Sequence, residues 1–282
     1  MIRKAVFSYF NNTGVTNTSG FSSFEDMVYS TALAVMTAKK QFPRVEFITN
    51  DFGVRLVKAL GLPVDVSTLL NKMDDVSPYF WAYGKVLAYA SQNEPFVHID
   101  NDAYILSGLP QRMLDAECVF QSKEDFRLQG YGFYEILKPC FDEAPVKPKE
   151  IVPLTDYAYN CGLAGGNNTD IFKLHEKCSA EYIFAPENQT LFFEKHKEVL
   201  IHQNLFHEQY FLASLVQSRG LRPQTEVLGD DIGDINKNGI SYCHLWGLSK
   251  RDPQNMAKVK RRLLNDFPAV FDRVGTLDKN KL

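Results

Sequence analysis

The sequence predicts an α/β fold, a mostly parallel mixed sheet with helices on both faces, and three observations predict it. Apolar runs of strand length alternate with segments whose apolar residues recur every three or four positions. Strands joined through helices pair in parallel and bury both faces of their sheet. One such strand, Pro95-Phe96-Val97-His98-Ile99, ends in the carboxylates of Asp100-Asn101-Asp102, and ligands of these sheets gather beyond the carboxyl ends of strands.

Taken in order, Ala5 to Phe10 is the first strand. Phe24, Met27, Val28, Thr31, Val35 and Met36 mark the inner face of a helix by their spacing. Val45 to Thr49 is the second strand, and a helix using Leu56, Val57 and Leu60 is stopped by Gly61 and Pro63. A third helix, over about Tyr79 to Ser91, leads into the strand that carries the carboxylates, so the order is β-α-β-α-α-β. Beyond it, Ser107 caps a short helix around Pro110 to Ala116, and Cys118 to Gln121 is another strand. Gly130 to Lys149, with Gly130, Gly132, Pro139, Pro145 and Pro148, reads as a long loop.

Tyr157 to Ala164 reads as a buried strand, followed by a helix capped by Thr169 or Asp170. From Gln189 to Arg219 the chain is predominantly helical and carries Glu208. A strand near Glu226-Val227-Leu228 precedes a loop rich in Asp, Gly and Asn, and Ser241 to Lys250 is a short strand and a turn. The apolar face of Met256, Val259, Leu263, Leu264 and Phe267, beside Lys258, Lys260, Arg261 and Arg262, predicts a C-terminal helix docked on the domain with a solvated basic side. A peripheral contact of that basic side with a membrane surface is the competing expectation.

At 282 residues with 45% hydrophobic content, the chain can bury a substantial core, and one compact domain is expected. A formal charge of -3 argues against a nucleic-acid partner held by general electrostatic attraction. No uncharged apolar run reaches the roughly 18 residues of a membrane span, and Met1-Ile2-Arg3-Lys4 leads into a strand and not a signal peptide's apolar region. The expectation is a soluble, cytoplasmic protein. Its five cysteines, Cys118, Cys140, Cys161, Cys178 and Cys243, are widely spaced in apolar surroundings, which fits reduced thiols.

Three motifs carry chemistry. Asp100 and Asp102 offer hard oxygen ligands to Mn²⁺ or Mg²⁺, whose remaining positions a substrate diphosphate would complete. In Asn160-Cys161-Gly162-Leu163-Ala164-Gly165-Gly166, the small residues leave room for close backbone approach, read here as approach to a ligand. His244-Leu245-Trp246-Gly247-Leu248-Ser249-Lys250 presents an imidazole, a glycine and a lysine: a metal ligand, a place for phosphate to approach, and a cation for a leaving diphosphate.

In this order the three motifs resemble those of the GT-A (Rossmann-like) glycosyltransferases, especially the glycogenin-like and lipopolysaccharide glucosyl- and galactosyltransferase family, over most of the chain. The resemblance implies a single GT-A-like domain across 1–282. About 1–125 would be its nucleotide-binding half, about 150–252 its acceptor-side half with the metal and diphosphate motif, and 253–282 a C-terminal helix and tail. It implies metal binding by Asp100, Asp102 and His244. Donor contacts would come from Asp100, Gly247 and Lys250, and sugar or acceptor contacts from Asn160, with Gly162 and Gly165 beside it.

The activity implied is transfer of a sugar from a nucleotide sugar, UDP-linked by preference, to a hydroxyl of a glycan or glycolipid, with retention of configuration. Lys250 would stabilise the leaving group, and Glu208 is the available acceptor-side carboxylate. The family often continues its last motif with a Lys-Pro-Trp-like sequence, whereas Lys250 is followed here by Arg251-Asp252-Pro253. Two alternatives stay open: a sugar nucleotidyltransferase, for which Asn11-Asn12-Thr13-Gly14 is a poor phosphate loop, and an inactive nucleotide-sugar-binding protein.

Other candidates receive structural readings. Trp81 and Lys85, four apart on a helix, read as a core tryptophan beside a snorkelling lysine. His98 alternates with its strand's apolar residues and reads as structural. His175, His196, His202 and His207 show no ligand-like pairing.

Overall fold

A computed structural model of the chain describes residues 1–14, 17–126, 136–225 and 242–282. The described strands are β1 (Lys4–Tyr9), β2 (Arg44–Thr49), β3 (Asp65–Ser67), β4 (Phe96–Ile99), β5 (Ala103–Ile105), β6 (Cys118–Asp125), β7 (Tyr157–Gly166), β8 (Pro223–Thr225) and β9 (Tyr242–His244). Seven of them form one sheet in the order β3-β2-β1-β4-β7-β6-β8. The β1–β2, β1–β4, β2–β3 and β6–β8 pairs are parallel, while β7 runs antiparallel to both β4 and β6. This is the expected mostly parallel mixed sheet, and β7 alone supplies the mixing.

The helices are α1 (Phe24–Gln41), α2 (Asp51–Leu60), α3 (Tyr83–Ala90), α4 (Gln111–Leu114), α5 (Lys138–Glu143), α6 (Asp170–Phe184), α7 (Pro186–Thr190), α8 (Gln203–Leu205), α9 (Phe211–Ser218), α10 (Pro253–Asp266) and α11 (Pro268–Gly275). Local chemistry explains the first two. Ser23 caps α1 by accepting from the Asp26 amide, with acids in its first turn and lysines in its last, each sign opposing the helix dipole. Asn50 accepts from the Gly53 amide at the start of α2, and Gly61 ends it in a left-handed conformation.

Each sheet face buries its own core. Ala5, Phe7, Val97 and Ile99 point into a cluster with residues of α1, α2, α10 and α11, whereas Val6 and Phe96 point into a second with residues of α3, α6 and α9. That alternation puts strands of near-continuous apolar sequence in the middle of a three-layer body.

Several expectations change. Ser107 caps nothing: α4 starts after Pro110 with no side-chain cap bond, and neither does the Thr169 side chain cap α6. Residues 189–219 are broken by 3₁₀ and π turns, among them a π turn over Phe206–Tyr210. Within the expected loop 130–149, Lys138–Glu143 is helical and the residues before 136 lie outside the described ones, as does the strand expected at 226–228. Met256, Val259 and Leu263 of α10 are buried against the body, but Leu264 is 44% exposed. Lys260 of the basic side is paired with Asp26 at 2.8 Å. Among the described residues, no helix is long and apolar enough to cross a membrane. All five cysteines are buried, and among the described residues they form no disulfide.

Candidate active site

The site is assembled at the carboxyl end of β4. The Asp100 amide donates to Gly162 O on β7 (3.0 Å) and the Ala103 amide to Asp100 O (3.0 Å), a tight turn that aims both aspartates away from the sheet. The chain then forms β5, which pairs antiparallel with β9 in a separate small sheet, with Ala103 opposite His244. A bond from the Leu245 amide to Asp102 O (2.9 Å) closes that ladder. This pairing is what carries a histidine from late in the chain to the DxD carboxylates.

His244 Nε2 lies 3.2 Å from Asp102 Oδ1 and 4.0 Å from Asp100 Oδ2. Among the described residues these three form a cluster whose ligand atoms all fall within 4.8 Å of one another. A Mg²⁺ or Mn²⁺ ion with ligands at about 2.1 Å holds neighbours about 3 Å apart, so contraction of the widest pair by at most about 2 Å accommodates it. Two carboxylates and an imidazole are a donor set for a divalent metal ion. The residues present therefore fit the ion.

Lysines balance this negative charge. Lys250 Nζ meets Asp102 Oδ2 at 2.5 Å and lies 3.4 Å from Ser19 O. Burial works to raise the Asp102 carboxyl, but Lys250 and His244 together more than reverse it and hold it well below the usual carboxylate range. Gly247 opens the 3₁₀ turn Gly247–Arg251 at φ 59°, a left-handed conformation facing open space.

Lys85 is the residue the sequence reading missed. Its Nζ bridges Asp100 Oδ1 (2.8 Å) and Glu208 Oε1 (2.6 Å), and its side chain is 13% exposed. Burial acts to lower its pKa, while Asp100 and Glu208 overcome that and leave it raised. Glu208, 1% exposed in the π turn, also accepts from Tyr89 Oη at 3.2 Å; burial raises its carboxyl against the pull of Lys85. Trp81 is no core residue, being 50% exposed. His98 fits its structural reading, buried 2.8 Å from Ser8 Oγ and kept neutral by burial and by Lys85.

A cleft of about 650 Å³ opens over these groups. Its floor is the end of β1 with Asp100, Asn101 and Asp102; its walls are residues 17–21, the segment Leu70 to Pro78, and Trp81, Lys85 and Lys250. Asp100, Asp102 and Lys250 thus border it, and His244 stands directly behind them. Asn160, Gly162, Gly165, Glu208 and Gly247 do not border it. The glycines of β7 make their room for protein: a Cβ on Gly162 would stand 2.4 Å from His244 and Gln121 atoms, and one on Gly165 would stand 2.2 Å from Phe96 O. The Asn160 side chain accepts from the Gly162 amide (3.0 Å) and donates to Glu124 (2.8 Å).

A family model described as a family of unknown function (DUF6734) matches residues 2–277. No curated protein sequence matches this one. Among solved structures, the chain is similar to the galactosyltransferase LgtC in complex with donor and acceptor sugar analogs (TM-score 0.47, 10% identity, 99% of this chain and 100% of that one). It is also similar to the apo-form glycosyltransferase GlyE of Streptococcus pneumoniae TIGR4 (0.46, 11%, 98% and 63%). A third is the inositol-1-phosphate CTP transferase from T. maritima (0.42, 11%, 92% and 96%).

Proposed function

The chain belongs to the DUF6734 family, and we propose that it is a metal-dependent glycosyltransferase that takes a sugar from a nucleotide sugar to an acceptor hydroxyl. One observation carries this reading: two carboxylates and an imidazole converge at the carboxyl edge of an α/β sheet, with Lys250 and Lys85 beside them at a cleft large enough for a nucleotide. UDP as the nucleotide, a glycan or glycolipid as the acceptor, and retention at C1 are proposed on the resemblance of the motifs.

A cation held by Asp100, Asp102 and His244 would supply positive charge to the donor diphosphate. Departure of the diphosphate builds negative charge that Lys250, free to exchange Asp102 for phosphate oxygens, stabilises more than it stabilises the bound donor. Gly247, left-handed at the start of the turn that carries Lys250, acts on the phosphates only through the placing of that lysine. Lys85 borders the cleft as a fixed cation and offers its ammonium to sugar hydroxyls, and Glu208, buried behind it, acts through Lys85. Asn160, Gly162 and Gly165 serve the site from below. A nucleotidyltransferase is disfavoured because no Lys or Arg occurs between Phe10 and Ser23, where its phosphate loop would lie.

The test is a thermal-shift screen of UDP-, GDP- and CMP-sugars with and without Mn²⁺. A Mn²⁺-dependent rise in Tm with a UDP compound, absent from Asp102→Ala, is expected. An equal rise in the variant would remove the site, and binding with no transfer of the sugar to any acceptor or to water, and so no release of UDP, would favour a binding protein.

A further inference from the structure

We propose that Gln121 is a positioning residue which, seated in the space Gly162 leaves, holds the His244 ring through its Nδ1–H and so keeps Nε2 as the nitrogen turned to the carboxylates, where a metal ion would take it. The inference rests on the metal reading above and extends it to residues outside the cleft.

Gln121 is 7% exposed on β6 and does not border the cleft. Its Oε1 lies 2.7 Å from His244 Nδ1 and also accepts from Tyr242 Oη at 3.1 Å. A carboxamide oxygen has only lone pairs, so this contact requires hydrogen on Nδ1. Nε2 then remains as the nitrogen that faces Asp102 and Asp100. A ring whose far nitrogen is committed to an acceptor keeps one orientation and is the more basic ligand.

Gly162 makes the arrangement possible. Its backbone is pinned on both sides, the amide donating to Asn160 Oδ1 and the carbonyl accepting from Asp100, each at 3.0 Å. It cannot retreat, and a methyl group there would stand 2.4 Å from Gln121 Oε1 and from His244 Nδ1. One residue of β7 thereby supports Asp100 through a hydrogen bond and His244 through the space it leaves. Asn160 and Gly162 act on the cluster and not on the substrate.

The experiment measures Mn²⁺ affinity by EPR of the free ion, with no turnover involved, in the wild type, Gln121→Leu and Gln121→Glu at one pH. Loss of the acceptor oxygen should weaken binding about 10- to 100-fold, and Gln121→Glu, which keeps an acceptor, should stay close to wild type. If the wild type binds no Mn²⁺, the metal reading itself falls. If it binds and Gln121→Leu binds equally, or if both variants lose affinity alike, the positioning role alone falls. ¹⁵N NMR of histidine-labelled wild type, independent of any variant's folding, should find hydrogen on Nδ1 of His244; a ring bearing it on Nε2 alone would overturn the proposal.

Discussion

Lys85 illustrates how much a side chain's role depends on partners distant in sequence. Its i,i+4 relation to Trp81 suggested a snorkelling lysine against a core tryptophan, but the helix begins only at Tyr83, after a 3₁₀ turn at Pro78–Phe80, and both residues turn to the cleft. Lys85→Met should destabilise the protein by about 3 kcal/mol, the low end for a broken buried pair because Glu208 can take up a proton instead. The urea midpoint measures it, and a second change, Glu208→Gln, should recover part of the loss. Asp100, Asp102, His244 and Lys250 were legible because their chemistry is local to short motifs. Gln121 and the glycines of β7 were not, since a sequence shows a missing Cβ but not which neighbour uses the space.

At the scale of elements, periodicity revealed β1, β2, α1 and α2, whose patterns are long. β3, β5 and β8 span three residues each, too short for any pattern, and β5 is the one that recruits His244. The direction of β7 was also hidden, because pairing with β4 is decided by residues more than sixty positions away. Close approach of those two strands depends on Gly165. Gly165→Ala, whose methyl would stand 2.2 Å from Phe96 O, should cost about 3 kcal/mol, the upper end for overpacking because backbone cannot yield. Gly84→Ala in α3 is the control: its methyl would meet Leu70 and Met73 at 3.7 Å or more, so its Tm should hold or rise.

Across the whole molecule, the second core encloses ionisable groups that make stability depend on pH. His175 and His207 are fully buried, and the His175 Nε2–H donates to His207 O at 2.7 Å, while among the described residues neither His207 nitrogen has a hydrogen-bond partner. Burial lowers them to about 4 and about 3. The unfolded chain takes up protons below about pH 6.5 that the folded one refuses. Stability from this source is therefore complete above that value and is lost as pH falls toward the folded values. Tm should drop steadily from pH 6.5 to 4.5 in thermal denaturation, and a flat profile would contradict it. The three-layer body was foreseeable from the sequence because a strand buried on both faces reads as apolar at every position. These histidines were not, since only tertiary packing tells a sealed imidazole from a solvated one.

The two-strand ladder between β5 and β9 brings together Asp102 and His244 across 142 positions of chain. The described strands of the central sheet all precede β9 in the chain, so a polypeptide that stops short of β9 has the carboxylates without their imidazole. Under the proposed metal reading, the ion site would exist only once the late segment has docked, so that ion capture doubles as a read-out of completed assembly.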